Sequence, residues 1–196
     1  SILTLSDLSE INRLQKIAVE ESRLGIPIIY GYDVIHGLRT VFPIPLAEAC
    51  TWDPDLLEEA ARIAAVEAAC NGFHWIFAPM VDVARDPRWG RVAEGAGEDP
   101  FLGAAMARAR VRGFQAEGLP GGRRIVACPK HYVAYGAAEA GKDYNTTDMS
   151  ERTLRDIYLP PFKAAFDEGA GSVMSSFNEI GGVPASANEF ILRTVL

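Results

Sequence analysis

The stretch that decides the fold is APMVDVARDPRWGRVAEGAGEDP, residues 78–100. It begins as the end of an apolar strand that runs from Trp75 to Val83. It then becomes a loop dense in arginine, carboxylate and glycine, and it ends at an Asp-Pro pair that predicts the start of a helix. Arginine offers a rigid fork of hydrogen-bond donors and tryptophan offers a flat apolar face. The loop therefore suits a site that binds a polar ligand.

A competing interpretation is a loop pinned by internal ion pairs. It applies to Arg85, Asp86 and Arg88 more than to Arg91, which lies between Gly90 and a glycine-rich run. We therefore expect Arg91 to contribute to a pocket, and we expect Arg85 and Arg88 mostly to brace the loop.

Short apolar runs alternate with helical patterns along the whole chain. Runs at 28–32, 73–83, 124–128 and 172–177 predict strands, and segments 7–24, 53–71, 99–118, 150–169 and 189–196 predict helices. Strands that alternate with helices favour a parallel sheet with right-handed crossovers. The prediction is an α/β fold, either part of a (β/α)8 barrel of the TIM type or an open flavodoxin-like sheet. Four strands would be about half of such a barrel.

Composition limits the class of partner. The chain has 196 residues, 48% of them hydrophobic, and a net charge of -7, which disfavours nucleic acid and anionic membranes as partners. The longest apolar runs are interrupted by glycine, proline or charge, and no leader peptide is recognisable. The three cysteines, Cys50, Cys70 and Cys128, match neither a disulfide framework nor a zinc site. We expect no cofactor and no metal, and the compartment is left open.

Polar residues follow the predicted strands at their carboxyl ends. Asp33 follows the first strand, the arginine-rich loop follows the second, and Lys130 and His131 follow the third. Both barrels and open parallel sheets carry functional residues at that edge. Lys130 and His131 can converge on one ligand only where the strand turns or bulges, and Pro129 favours such an irregularity. Other candidate acids and bases are not distinguished by spacing: Asp82, Glu94, Glu98, Asp99 and Glu139.

Five segments resemble the N-terminal catalytic domain of glycoside hydrolase family 3, and in particular its bacterial β-glucosidases. They are YGYDVIHG (30–37), FPIPLA (42–47), residues 78–100, KHYVAYG (130–136) and MSSFNEIGGVPAS (174–186). The resemblance covers nearly the whole chain, in the family's order. It implies a TIM-like catalytic barrel, of which residues 1–196 would be one partial domain.

The resemblance also implies roles for individual residues. Asp33 matches the carboxylate that binds sugar hydroxyls in subsite −1, and Arg91, Lys130 and His131 match other sugar-binding positions. Phe177 lies where many members have a tyrosine near the nucleophile. The implied activity is removal of terminal non-reducing β-D-glucosyl residues from β-glucosides or oligosaccharides such as cellobiose by a retaining mechanism.

A retaining mechanism needs two carboxyl groups roughly 5–5.5 Å apart. The resemblance places the nucleophile, an Asp in a GFVVSD-like strand, beyond Leu196, and it places the acid/base Glu in a second domain. It also places the first barrel strand before Ser1. We therefore expect no catalytic carboxylate among these residues and no hydrolysis by this segment alone.

Several alternatives stay open at this point. They are a β-xylosidase or another exo-glycosidase, a non-catalytic sugar-binding or scaffold half-barrel, and a different barrel enzyme that uses His131 as a base. The expected protein partner is a second copy of the chain or the remainder of its own barrel.

Overall fold

The strands were identified in a computed structural model that describes residues 1–196. In chain order they are β1 (Ile2–Leu3), β2 (Tyr30–Tyr32), β3 (Trp75–Ile76), β4 (Val126–Ala127), β5 (Lys130–Tyr132), β6 (Met174–Ser175), β7 (Glu179–Ile180) and β8 (Val183–Pro184). Strands β1 to β4 form one parallel sheet in sequence order, β5 pairs in parallel with β6, and β7 with β8 form an antiparallel hairpin.

The helices alternate with these strands. They are α1 (Leu8–Lys16), α2 (Pro45–Ala49), α3 (Pro54–Cys70), α4 (Pro100–Phe114), α5 (Glu151–Thr153) and α6 (Pro160–Asp167). Wider helical turns continue α1 over Ile17–Glu21 and α5 over Leu154–Tyr158, and another spans Phe190–Val195. No helix combines the length and the apolar character that crossing a membrane requires.

Sequence order within the sheet decides between the two predicted folds. Each parallel strand lies beside the strand that precedes it, with Ile2 opposite Tyr30 and Gly31 opposite Trp75. A parallel bridge between Met80 and Lys130 connects the segment after β3 to β5. A flavodoxin-like sheet has the order 2-1-3-4-5, whereas a (β/α)8 barrel keeps neighbours in sequence. The chain therefore forms part of a barrel of the TIM type, as predicted.

Prolines divide two of the predicted strands. The predicted strand 73–83 keeps its ladder only over Trp75–Ile76, and the predicted strand 124–128 gives way to a separate β5 after Pro129. Proline has no N–H to donate to a ladder, so Pro79 and Pro129 interrupt regular pairing. The expectation that the first strand lies before Ser1 missed β1, a two-residue strand that is too short to show a pattern.

The helix starts agree with the sequence more closely than the strand limits. Asp53 caps α3, Asp99 caps α4 and Ser150 caps α5, each through its side-chain oxygen. Helix α4 ends at Phe114, earlier than the predicted 118, and the short α2 is not among the predicted helices. The outer layer packs closely, because a Cβ at Gly113 of α4 would lie 2.3 Å from the Glu58 carbonyl oxygen of α3.

Candidate active site

Asp33 and Lys130 form an ion pair at the carboxyl ends of their strands. Asp33 directly follows β2 and Lys130 opens β5, and the Lys130 Nζ donates to Asp33 Oδ1 over 2.5 Å. The Lys130 side chain is 3% exposed, whereas that of Asp33 is 57% exposed. The buried cation thus holds a carboxylate whose remaining acceptor capacity faces outward. Such a carboxylate can accept hydrogen bonds from the hydroxyl groups of a ligand.

His131 is held from behind by a buried carboxylate. Asp82 Oδ2 lies 3.0 Å from the backbone nitrogen of His131 and 2.8 Å from its ring Nδ1. Both side chains are almost completely buried. The ring Nε2 makes no hydrogen bond with the protein, so it is the nitrogen left for a ligand.

The strand irregularity expected at Lys130 and His131 is present. The register between β5 and β6 shifts between Lys130 and Tyr132, and the Lys130–His131 peptide bond is cis. Lys130 reaches Asp33 while His131 reaches Asp82, so neighbouring side chains both contact residues from preceding strands. The structure thereby pairs Lys130 with Asp33 and His131 with Asp82.

Arg91 lies in the same region but is paired within its own loop. Its Nε and Nη2 donate to the two carboxylate oxygens of Glu94 over 2.7 and 2.8 Å, and its guanidinium lies 5.5 Å from the centre of the Tyr135 ring. Glu94 raises the pKa of Arg91 above its ordinary value. Burial opposes ionisation of Glu94, yet the hydrogen bonds and charge of Arg91, with Lys130 and His131 nearby, hold the pKa of the Glu94 carboxyl below its usual value.

Arg88 behaves as the loop interpretation expects. It makes a two-pronged pair with Asp86, with its Nη2 lying 2.6 Å from Oδ2, while its side chain stays 72% exposed. These hydrogen bonds lower the pKa of the Asp86 carboxyl to about 2. Arg88 therefore braces the loop from its outer side, whereas Arg91 is turned inward.

Phe177 belongs to a group of aromatic rings around His131. It follows β6, and its ring centre lies 5.2 Å from His131, 5.4 Å from Tyr135 and 5.6 Å from Tyr144. His131 also meets Tyr135 edge-on at 5.0 Å. Phe177 and Tyr144 are largely exposed, while Tyr135 is fully buried. These rings fix the His131 imidazole and present an aromatic edge beside it.

A cleft of about 260 Å³ opens beside Asp33. Its lining includes Asp33, His36, Pro45, Ala93 and Glu94. A larger groove of about 900 Å³ lies elsewhere, between α4 and α6, and contains none of the predicted site residues. The smaller cleft is the one that Asp33 and Glu94 line.

Asp82 and Glu94 are two of the five acidic residues that spacing in the sequence did not distinguish. Asp82 is a lone carboxylate inside the apolar run APMVDV, and Glu94 stands three residues after Arg91. An acidic residue in an otherwise buried strand is the signal that could have singled out Asp82, because buried carboxylates need partners. Every carboxylate at the site is thus paired: Asp33 with Lys130, Asp82 with His131 and Glu94 with Arg91.

The chemistry of this arrangement is the binding of a polar, hydroxyl-rich ligand. An exposed carboxylate, an imidazole with one free nitrogen and an inward guanidinium offer acceptors and charged donors to such a ligand. No group of three or more histidine, cysteine or acidic side chains is arranged to hold a metal ion.

Comparison with known proteins found a matching family model and related sequences. The family model described as "Glycosyl hydrolase family 3 N terminal domain" matches residues 1–196. A periplasmic beta-glucosidase of Salmonella typhimurium is 44% identical over 187 residues, which are 95% of this chain and 24% of the relative. A beta-xylosidase of Formosa agariphila is 38% identical over 209 residues, covering 100% of this chain and 29% of that protein.

Solved structures agree as well. A beta-glucosidase from Listeria innocua in complex with glucose superposes with a TM-score of 0.95 at 45% identity, covering 100% of this chain and 28% of that one. The chain therefore spans about a quarter of the length of the relatives that it matches.

Proposed function

Because the chain belongs to glycosyl hydrolase family 3, we propose that the protein carrying it hydrolyses β-glycosides and removes terminal non-reducing β-D-glucosyl residues. In this proposal, residues 1–196 supply the pocket for the sugar that is released. The observation that carries it is the Asp33–Lys130 pair, in which a buried ammonium presents an exposed carboxylate at the catalytic edge of the barrel.

The pocket binds the sugar through charge-assisted hydrogen bonds. The Asp33 carboxylate accepts from neighbouring hydroxyl groups, while Lys130 neutralises part of its charge and limits its rotation. His131 through Nε2 and Arg91 through Nη1 contact further hydroxyl groups. Contacts that strengthen as the ring becomes an oxocarbenium ion raise kcat, and the others lower KM.

We propose that the reaction proceeds with retention and that its two catalytic carboxyl groups lie outside residues 1–196. The support is the pairing of the carboxylates at the site. Asp82 and Glu94 are held in contacts with His131 and Arg91, and Asp33 is held by Lys130. A nucleophile must reach the anomeric carbon, whereas Asp82 and Glu94 are engaged in holding other side chains and Asp33 is assigned to the sugar hydroxyl groups.

A β-xylosidase is the second candidate, because a beta-xylosidase is among the relatives that match the whole chain. A xyloside lacks the hydroxymethyl group of a glucoside, and both sugars offer the hydroxyl groups that Asp33 and Lys130 would bind. Sugar binding without hydrolysis is the non-catalytic alternative.

The test compares 4-nitrophenyl β-glucoside with 4-nitrophenyl β-xyloside as substrates of the intact protein that carries this chain. We expect kcat/KM for the glucoside to exceed that for the xyloside by at least about tenfold, a difference of roughly 1.4 kcal/mol in transition-state binding. Proton NMR of the first product should show the β-anomer. The reverse preference would establish the xylosidase, and glucose binding without release of nitrophenol would establish the non-catalytic alternative.

Residues 1–196 expressed alone offer a second comparison. We propose that they do not hydrolyse the glucoside and that they associate with a second copy or with the rest of their barrel, since open edges of a parallel sheet pair readily. Sedimentation measures the oligomeric state, and an assay with the aryl glucoside measures hydrolysis. A monomer that hydrolyses the glucoside would contradict both statements.

A further inference from the structure

We propose that Asp82 is a positioning residue for His131, holding hydrogen on Nδ1 so that Nε2 faces the sugar with a fixed role. The inference rests on the proposed sugar site and adds to it a residue that acts only through its neighbour. It starts from the two contacts of one oxygen, Asp82 Oδ2, with the backbone nitrogen and the ring Nδ1 of His131.

The geometry selects one arrangement of hydrogen atoms. Asp82 Oδ2 already accepts the backbone N–H of His131 at 3.0 Å, and an ionised carboxylate can only accept. The ring Nδ1, 2.8 Å away, must therefore be the donor in that contact. When a carboxylate fixes one ring nitrogen of a neutral histidine as the donor, the other ring nitrogen is left as an acceptor.

The orientation of the ring is fixed from its faces as well. Tyr135 meets the His131 ring edge-on, and Phe177 lies against it at 45°. Rotation of the imidazole would break the contact with Asp82 and disturb both aromatic contacts. Nε2 is thus held at one place, on the residue next to the lysine that pairs with Asp33.

Packing alone does not account for a carboxylate at position 82. The second oxygen, Oδ1, is buried and has no hydrogen-bond partner. A buried polar atom without a partner is costly, and a buried charge is more so. An amide or an apolar side chain would fill the same space at a lower desolvation cost. We therefore attribute the carboxylate at this position to its hydrogen bonds with His131.

The first test is a double-mutant cycle in the intact protein, with kcat/KM for the aryl glycoside as the readout. Outer partners of ligating histidines in metal sites are worth about 10- to 100-fold, and we expect Asp82→Asn to lower kcat/KM by a similar factor. In a His131→Ala background, the same substitution should change kcat/KM by less than about twofold, since residues that act through one another are not additive. An equal loss in both backgrounds would overturn the proposal.

Asp143→Asn is the matched control. Asp143 accepts from Trp89 Nε1 over 2.9 Å and makes no hydrogen bond to His131. Whatever its effect, it should be the same factor with and without His131. If His131→Ala alone leaves kcat/KM unchanged, the sugar site is misassigned, and Asp82 is then judged by the next measurement.

The second test reads the protonation of His131 without any substrate. Nitrogen-15 spectra of histidine-labelled protein, with the His131 signals identified by their loss in His131→Gln, should show a hydrogen on Nδ1. The Asp82→Asn variant, checked for folding by its thermal unfolding midpoint, should lose this preference or show a mixture. An unprotonated Nδ1 in the unsubstituted protein would overturn the proposal whatever the kinetics show.

Discussion

Two buried cations face the segment that follows β2, and their partners differ. Lys130 pairs with Asp33, whose side chain is 57% exposed, whereas Arg110 of α4 pairs with Glu48 of α2, and both of these side chains are 8% exposed. Arg110 also donates to the Ile35 carbonyl oxygen over 2.9 Å. One pair is open to a ligand and the other is closed on all sides.

The difference separates a pair that can bind a ligand from a pair that stabilises the fold. In the open pair, the cation is anchored and the carboxylate still has acceptor capacity for a ligand. In the closed pair, the charges satisfy each other and the backbone at Ile35, two residues after Asp33. The Arg110 guanidinium thus fixes the segment that contains Asp33. Changes in the open pair should reduce activity, and changes in the closed pair should reduce stability.

The largest expected effect is that of Asp33→Ala on activity. Hydrogen bonds to a charged group contribute about 1.5–3 kcal/mol each, and loss of two such contacts to the sugar should lower kcat/KM by roughly 10²- to 10⁴-fold. Lys130→Ala should reduce kcat/KM by orders of magnitude as well. Lys163→Ala, which removes an exposed lysine paired with Asp167 on α6, is the control and should leave kcat/KM unchanged. Near-normal kcat/KM for both Asp33→Ala and Lys130→Ala would contradict the assignment of the open pair to ligand binding.

The closed pair should give the opposite pattern. Glu48→Gln leaves the buried Arg110 charge uncompensated, which costs about 3–5 kcal/mol in the free energy of unfolding. Urea titration of the intact protein measures the loss, and KM measured at low temperature on the folded fraction should change little. A variant with normal stability and a strongly raised KM would show that Glu48 belongs to the binding site instead.

An intermediate effect is expected at Arg91. Its guanidinium is already held by Glu94, so the contact with the ligand uses the remaining Nη1. Arg91→Ala should cost about 1.5–3 kcal/mol of transition-state binding, measured through kcat/KM. Glucose affinity from calorimetry would show whether the loss is already present in the ground state. No change in either quantity would place Arg91 with the bracing residues.

The smallest effect belongs to Arg88. Exposed pairs contribute little, and Arg88→Ala should leave kcat/KM within about twofold of the unsubstituted protein. Arg88 lowers the pKa of Asp86 from 3.8 to about 2, so any stabilisation by the pair is complete above pH 3.8 and is lost as the pH falls through about 2. The stability of the Arg88→Ala variant should therefore approach that of the unsubstituted protein at the acid end of a pH series. A stability difference that persists at the acid end would not come from the Arg88–Asp86 pair.

The sequence predicted the barrel, and it suggested the candidate site residues, because both kinds of signal are local. The Asp-Pro helix starts, the alternation of strands and helices, and the polar residues after each strand can all be read within short windows. Strand β1 could not be found in this way, since two residues carry no periodicity and are identified only by pairing with Tyr30 and Gly31.

The roles of Asp82 and Glu48 escaped sequence reasoning for a related reason. Asp82 acquires its role from His131, 49 residues away, and Glu48 from Arg110, 62 residues away. Such partnerships depend on how the strands and helices are arranged in three dimensions. Phe177 differs from both, since the resemblance alone singled it out, as a position near the nucleophile, and the structure places its ring centre 5.2 Å from that of His131.

The most direct test of the open pair is a crystal structure of the intact protein with glucose bound. The account predicts that the Asp33 carboxylate and Lys130 Nζ lie within about 3.2 Å of sugar hydroxyl groups and that His131 Nε2 contacts the same ring. It also predicts that Arg110 and Glu48 keep their contact with each other. Glucose seated in the groove between α4 and α6, or a sugar that leaves Asp33 without a contact, would contradict it.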